Sequence, residues 1–259
     1  MATGTAELLT PEAIGQLLIL AYAPGLHAVS VVGSAARGDV NEWSDIDLHA
    51  YVRLPSQKLE PRTRALGGRL VMVATDTIED GRAELRTPER AIWAVPAFRD
   101  MRILLDHDRQ LAALKEEAET FEWSALRDEA ERSERRRLEA SAEYVHKIRA
   151  AIERRDEGAA LHAAGALVGR CTRSIVTARG IFVRTENEYY RKAQEAAGPE
   201  WTKRHRHCFG LAWDGPVALD ASAQALAAVR LYEETVRVLD DILDAEAREI
   251  TQRAIALLQ

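Results

Sequence analysis

The 259-residue chain carries 35 Lys and Arg against 41 Asp and Glu, so its formal net charge at pH 7 is −6. This acidic balance argues against a nucleic-acid coat protein, and we expect no nucleic-acid partner. Two cysteines are too few for a disulfide scaffold or a four-cysteine metal site, which favours a reducing compartment. The most apolar early run, Leu17 to Ala23, is shorter than the roughly 20 residues that span a bilayer. We therefore expect a cytoplasmic protein with no membrane partner.

The first half of the chain predicts a small α/β unit. Thr10 followed by Pro11 is a helix start, and Pro24-Gly25 ends that helix. Five runs have the β-branched residues or the apolar–polar alternation typical of strands: 27–32, 45–52, 70–74 and, more weakly, 91–93 and 101–105. We expect the run at 70–74 to be a buried strand, and we expect the acidic residues between 79 and 84 to lie in a loop.

From about residue 109 onward the sequence predicts helices. Glycine and proline become sparse, and apolar residues recur at helical spacing in three stretches: 138–152, 161–175 and 226–243. Helices with apolar stripes of this kind are typical of an antiparallel bundle. We therefore predict an α+β fold, in which a small mixed sheet with flanking helices at residues 1–115 is followed by an all-α helical bundle at residues 116–259.

One segment near residue 40 combines the features of a phosphate site and a metal site. Gly33 and Ser34 follow a predicted strand, where backbone N–H groups can approach a phosphate without a β-carbon in the way. Asp45 and Asp47 are two residues apart in a strand and therefore point to the same face. Two close carboxylates repel each other unless a cation joins them, and oxygen ligands alone suit Mg²⁺. Arg37 can add a charge-assisted contact to a phosphate.

This pattern resembles the signature of the DNA polymerase β-like nucleotidyltransferase superfamily, which is a Gly-Ser turn, about ten further residues, and then Asp-hydrophobic-Asp. Here Gly33-Ser34, ten intervening residues and Asp45-Ile46-Asp47 match it. An α/β domain followed by helices is also similar to the aminoglycoside and lincosamide nucleotidyltransferases. The resemblance implies Mg²⁺-dependent transfer of a nucleoside monophosphate from an NTP, usually ATP, to a substrate hydroxyl, with release of pyrophosphate.

The resemblance also assigns roles to individual residues. It implies that Gly33 and Ser34 cradle the triphosphate, that Asp45 and Asp47 hold the metal, and that Arg37 and Ser44 steady the site.

The general base is less clearly marked. The third carboxylate that such enzymes often have on the next strand is absent from residues 69–75, and Asp76 comes just after that run. Glu143 and Lys147, spaced i and i+4 on a predicted helix, are the other candidates, with Glu143 as base and Lys147 as a phosphate contact. A solvated ion pair explains the same spacing.

We therefore expect an enzyme that uses Mg²⁺ and transfers AMP from ATP to a small hydroxylated molecule, with aminoglycoside and lincosamide antibiotics among the candidate acceptors. Two alternatives stay open. The acceptor hydroxyl can belong to a partner protein, or the chain can be a nucleotide-binding module without catalysis, which the missing strand carboxylate favours. The sequence leaves the identity of the acceptor and the formation of a homodimer undecided.

Overall fold

The computed structural model describes Thr10, Ala13 and residues 26–66, 68–212, 215–216 and 219–257. The chain divides into two units, Met1–Glu122 and Trp123–Gln259. The first unit is built on a five-stranded mixed sheet, and its strands are β1 (Leu26–Val32), β2 (Ile46–Val52), β3 (Arg62–Leu66), β4 (Arg69–Asp76) and β5 (Arg102–Asp106).

The sheet has the order β3-β4-β2-β1-β5, and β2 lies parallel to β4 while the other neighbours are antiparallel. Buried and partly exposed residues alternate along the first part of β2, which shows that one face of the strand packs on the core. Ile46 and Leu48 are buried in a core cluster with Val31 and Val71, whereas Asp47, which lies between them, is only half-buried. One face of β2 therefore belongs to the core, and the other face carries Asp47.

From residue 26 onward, the α-helices described in the first unit are α1 (Gly33–Arg37), α2 (Ile78–Leu85), α3 (Pro88–Asp100) and α4 (Gln110–Glu119). The prediction of a loop at residues 79–84 is wrong, because a capping box starts α2. The Thr77 hydroxyl accepts from the Asp80 N–H at 3.2 Å, and the Asp80 carboxylate accepts from the Thr77 N–H at 2.7 Å. The weak strand prediction at 91–93 is also wrong, since Pro88 starts a helix that buries Ile92 and Val95.

The second unit is helical, and its elements are α5 (Arg127–Glu153), α6 (Glu157–Ala178), α7 (Glu186–Ala197), α8 (Pro199–Cys208), the two-stranded pair β6 (Leu211–Ala212) and β7 (Gly215–Pro216), α9 (Ala221–Val238) and α10 (Ala245–Ala256). Buried hydrogen bonds join these helices. The Tyr232 hydroxyl of α9 donates to the Leu138 carbonyl of α5 at 2.8 Å, and the Trp201 indole of α8 donates to the Thr235 hydroxyl at 2.8 Å. The predicted α+β class is confirmed.

The helix predicted at the N-terminus falls largely outside the described residues. Of that segment, Thr10 and Ala13 are described, and the Thr10 hydroxyl accepts from the Ala13 N–H at 3.2 Å, as an N-cap does. In the described part of the chain, no helix has the length and apolar character needed to span a bilayer.

A glycine after α6 is closely packed. Gly180 has a φ of +63°, and a β-carbon there would lie 2.3 Å from the Trp123 ring. We expect Gly180→Ala to lower the free energy of unfolding by at least about 2 kcal/mol, because both the backbone and the ring must give way. Gly165→Ala, within α6, is the control: its β-carbon would meet nothing within 4 Å, so it should raise stability by about 0.5–1 kcal/mol. Urea unfolding measures both, and equal midpoints would contradict this packing.

Candidate active site

Asp45 and Asp47 lie at the start of β2, on the face that the core does not cover. Asp45 is exposed and precedes the strand, and Asp47 is its second residue. Because Ile46 between them points into the core, the two carboxylates share one face. The structure therefore brings this predicted pair together.

The turn after β1 packs directly against the second carboxylate. Val32, the last residue of β1, is the register partner of Asp47. The next residue, Gly33, has a φ of +67°, and a β-carbon there would lie 2.9 Å from Asp47 Oδ2. The backbone conformation at this position therefore favours glycine, and a β-carbon would displace the Asp47 carboxylate.

The same turn opens α1, which includes Ser34. The N-cap residue is Val32, and no side-chain hydrogen bond caps this end of the helix. The first N–H groups of a helix have no acceptor within the helix itself. Backbone donors of Gly33 and Ser34 are therefore placed beside Asp47, where a bound phosphate could accept from them.

Electrostatics at the pair favour a cation. Burial raises the pKa of Asp47 to about 6, and the nearby negative charge of Asp45 adds to this shift. Within the described residues, no group of three or more His, Cys, Asp or Glu side chains is placed to hold a metal ion. Two carboxylates with open coordination positions nevertheless suit Mg²⁺, which commonly takes one or two carboxylates and completes its shell with water and substrate phosphates. The residues present thus fit this ion.

Two further predicted site residues shape the loops around the pair. Arg37, at the end of α1, donates from Nε to Asp39 Oδ2 at 3.0 Å. The Ser44 hydroxyl accepts from the Asn41 N–H at 2.9 Å, and the Asn41 side chain accepts from the Trp43 N–H at 2.8 Å. Ser44 therefore holds the turn that leads into Asp45.

The next strand offers no third carboxylate near the pair. Met72 is the residue of β4 opposite Asp47, and Asp76 is opposite Tyr51. Asp76 lies four positions after Met72 along the strand, about 13 Å away at the usual rise. Asp76 is therefore displaced along the strand from the carboxylate pair, and Lys58 Nζ lies 4.0 Å from it.

Glu143 and Lys147 lie on α5, in the second unit. They form an exposed ion pair with 2.8 Å between Glu143 Oε1 and Lys147 Nζ. The hydrogen bond from Lys147 holds the pKa of Glu143 below its usual range, which weakens it as a base. The roles assigned to these two residues stay predictions.

One connection was not expected from the sequence. Arg69 Nη1, at the start of β4, donates to the Ser44 carbonyl at 3.1 Å and to the Asn41 carbonyl at 3.2 Å. The loop before Asp45 is thereby fastened to the neighbouring strand. The sequence predicted the apolar strand that follows Arg69. It did not predict these two hydrogen bonds, because the loop and β4 are about 25 residues apart along the chain.

Comparisons with known proteins agree with this geometry. Residues 23–93 match the family model of the nucleotidyltransferase domain. The match spans both Gly33-Ser34 and the two carboxylates, and it supports nucleotidyl transfer as the general reaction. Curated proteins gave no match to the sequence.

The chain also resembles solved structures. One is a nucleotidyltransferase-like protein from Exiguobacterium sibiricum 255-15, with a TM-score of 0.51 and 15% sequence identity. The similarity covers 89% of this chain and 77% of that one. At this identity the likeness shows the fold.

The raised pKa of Asp47 has a consequence for stability. Asp47 holds its proton in the folded protein up to about pH 6, whereas the unfolded chain releases it near pH 4. The group therefore lowers the stability of the metal-free fold progressively from about pH 4 to pH 6, and by its full amount above pH 6. We expect Asp47→Asn to stabilise the metal-free protein at pH 7.5 by about 1 kcal/mol, after allowance for the solvent that reaches this group. Thermal unfolding in EDTA should show a rise of roughly 2–4 °C, which disappears near pH 4. A lower melting temperature for the variant at pH 7.5 would contradict it.

Two glycines with positive φ provide a matched test of the turn. Gly33→Ala and Gly38→Ala both strain the backbone, but a β-carbon at Gly38 would meet nothing within 4 Å. We expect similar losses of stability, on the order of 1 kcal/mol, in both variants. Only Gly33→Ala should also lose Mg²⁺-ATP affinity, by roughly tenfold or more, because it displaces Asp47. Calorimetric titration measures this, and equal affinities in the two variants would speak against the close approach.

Proposed function

We propose that the chain transfers AMP from ATP to a hydroxyl group of a small molecule. The observation that carries this proposal is the pair of carboxylates, Asp45 and Asp47, the second of which lies against the turn at Gly33. Both lie within the residues that match the nucleotidyltransferase domain. Aminoglycoside and lincosamide antibiotics are the acceptor classes that we propose to examine first, and a role in antibiotic resistance rests on the same proposal.

Each site residue has its own role in the proposed transfer. The N–H groups of Gly33 and Ser34 donate to phosphate oxygens, and Arg37 adds positive charge beside them. Asp45 and Asp47 hold Mg²⁺, which when bound neutralises the charge of the triphosphate. The acceptor oxygen forms a bond to the α-phosphorus as the bond from that phosphorus to its bridging oxygen breaks. Pyrophosphate leaves with the electron pair, and the hydroxyl proton passes to a general base or, where no side chain serves as base, to solvent.

The base remains a separate proposal. Glu143 is the proposed general base and Lys147 the proposed phosphate contact, on the sequence argument alone. Where no side chain serves as base, positioning and charge neutralisation carry the rate.

One observation favours a second function. Met72 stands opposite Asp47, where a third carboxylate would complete the constellation. A chain that binds nucleotide without transferring it would need only the turn and the two aspartates. Nucleotide binding without pyrophosphate release, with every acceptor, distinguishes this module from the enzyme.

Pyrophosphate release from ATP and Mg²⁺ across a panel of hydroxylated small molecules tests the proposed reaction. We expect release with one acceptor class, and a loss of roughly 1,000-fold in Asp45→Asn, equal to about 4 kcal/mol of barrier. Glu42→Gln removes one exposed negative charge from the preceding loop and should keep the wild-type rate. Equal rates in Asp45→Asn and wild type would overturn the assignment of the carboxylates.

A further inference from the structure

The sheet holds the two carboxylates of the candidate site to different degrees. Asp47 lies within the ladders on both sides of β2, because Val32 of β1 and Met72 of β4 are its register partners. Pairing with β4 begins at Ile46, and pairing with β1 reaches no further than Asp47. Asp45 therefore lies ahead of both ladders, so the pairing of the strands does not fix its position.

The turn before Asp45 has a defined shape of its own. The Ser44 N–H donates to the Asn41 carbonyl at 3.2 Å, as in a β-turn, and the Ser44 hydroxyl accepts from the Asn41 N–H at 2.9 Å. The Asn41 side chain also accepts from the Trp43 N–H at 2.8 Å. These bonds lie within the turn, so they set its shape but not its position against the sheet.

Arg69 connects this turn to the sheet. Its Nη1 donates to the Ser44 carbonyl at 3.1 Å and to the Asn41 carbonyl at 3.2 Å. The Ser44 carbonyl belongs to the peptide group that leads into Asp45. Because a peptide group is planar, a hydrogen bond that holds this carbonyl also orients the N and Cα atoms of Asp45. One nitrogen at the start of β4 thus holds both ends of the turn.

The guanidinium acts from the face of the sheet opposite the carboxylates. Arg69 lies two residues before the buried Val71 on β4 and shares its face, whereas Met72 lies beside Asp47 on the other face. Arg69 is itself partly buried. Its effect on the candidate site is therefore exerted through the backbone before Asp45, and not through contact on the carboxylate face.

A cation shared by two carboxylates depends on both being in place. If one of them has to be ordered when the ion binds, that ordering reduces the affinity. A guanidinium is permanently charged, and hydrogen bonds from a charged donor are stronger than those between neutral groups. Arg69 is thus suited to hold Asp45 in place before the ion arrives.

We infer that Arg69 is a positioning residue, which holds Asp45 beside Asp47 so that both carboxylates bind one Mg²⁺ ion. This inference rests on the proposed function, from which it takes the metal, and deepens it. Metal affinity then depends on Arg69 only while residue 45 is a carboxylate. A residue that merely stabilised the fold would have the same effect whether or not Asp45 is present.

A double-mutant cycle tests the inference. Arg69→Met removes both hydrogen bonds but keeps an unbranched apolar stem, and Arg69→Lys keeps a charged donor. Arg64→Met is the matched control, because Arg64 carries the same charge and is exposed on the neighbouring strand β3. Each substitution is made in the wild-type protein and in Asp45→Asn. Mn²⁺, the probe for Mg²⁺, is titrated without nucleotide, electron paramagnetic resonance measures the free ion, and thermal unfolding in EDTA verifies that each variant is folded.

We expect Arg69→Met to weaken Mn²⁺ binding by roughly tenfold and Arg69→Lys to recover most of this loss. Arg64→Met should bind Mn²⁺ as the wild-type protein does. In Asp45→Asn, the further change to Arg69→Met should alter the affinity by less than about twofold. Wild-type affinity in Arg69→Met, an equal loss in both backgrounds, an equal loss in Arg64→Met, or no binding of Mn²⁺ by the wild-type protein would each overturn the inference.

The two proposals fail separately. Mn²⁺ binding that depends on Arg69 and Asp45 together, without pyrophosphate release from ATP with any acceptor, refutes the proposed transfer and supports the positioning role. Pyrophosphate release that is lost in Asp45→Asn, with Mn²⁺ affinity and its Mg²⁺ dependence unchanged in Arg69→Met, supports the transfer and refutes the positioning role.

Discussion

Repulsion between two neighbouring carboxylates is the constraint around which the first unit is arranged. Asp47 is partly buried next to Asp45, and its pKa rises to about 6 as a result. Such a pair costs the metal-free protein stability, which a group that joins the two charges would restore. A divalent cation, as we propose, would join the two charges, and the turn at Gly33 lies against Asp47, where the proposed phosphate would bind.

The order of the strands places different elements on the two sides of this carboxylate pair. Because β2 lies between β1 and β4, a backbone turn and an apolar strand flank the same carboxylates. Arg69 links the two parts, since it holds the loop that leads into Asp45 while it begins β4.

Local signals in the sequence predicted much of the fold and the centre of the site. The strands at 27–32, 45–52, 70–74 and 101–105 and the helices around 138–152 and 161–175 are present, because each carries a clear apolar period or a clear start and stop. The capping box at Thr77, and with it α2, was not predicted. The helices α7 and α8 were not predicted either, because they are short and mostly polar, so their apolar periodicity is weak. The third predicted helix ends at Val238, and α10 begins after the N-cap Asp244.

What the sequence could not supply was the relation between distant segments. Leu70 and Met72 lie in a run with the composition of a buried strand, yet both are exposed, because nothing described covers that face of β4. The distance from Gly33 to Asp47 and the two hydrogen bonds of Arg69 depend likewise on strand pairing. Periodicity predicts elements, but the register between them decides which side chains meet.

The position of β3 also bears on how the protein keeps from associating with itself. An edge strand offers unpaired N–H and C=O groups to any other strand, and an adjoining apolar surface makes such pairing more favourable. Arg62 and Arg64 place two positive charges along this edge, in a strand of only five residues. Two copies that met edge to edge would bring these arginines together. The free edge is thereby protected against sheet extension, although large apolar side chains are exposed on the neighbouring strand.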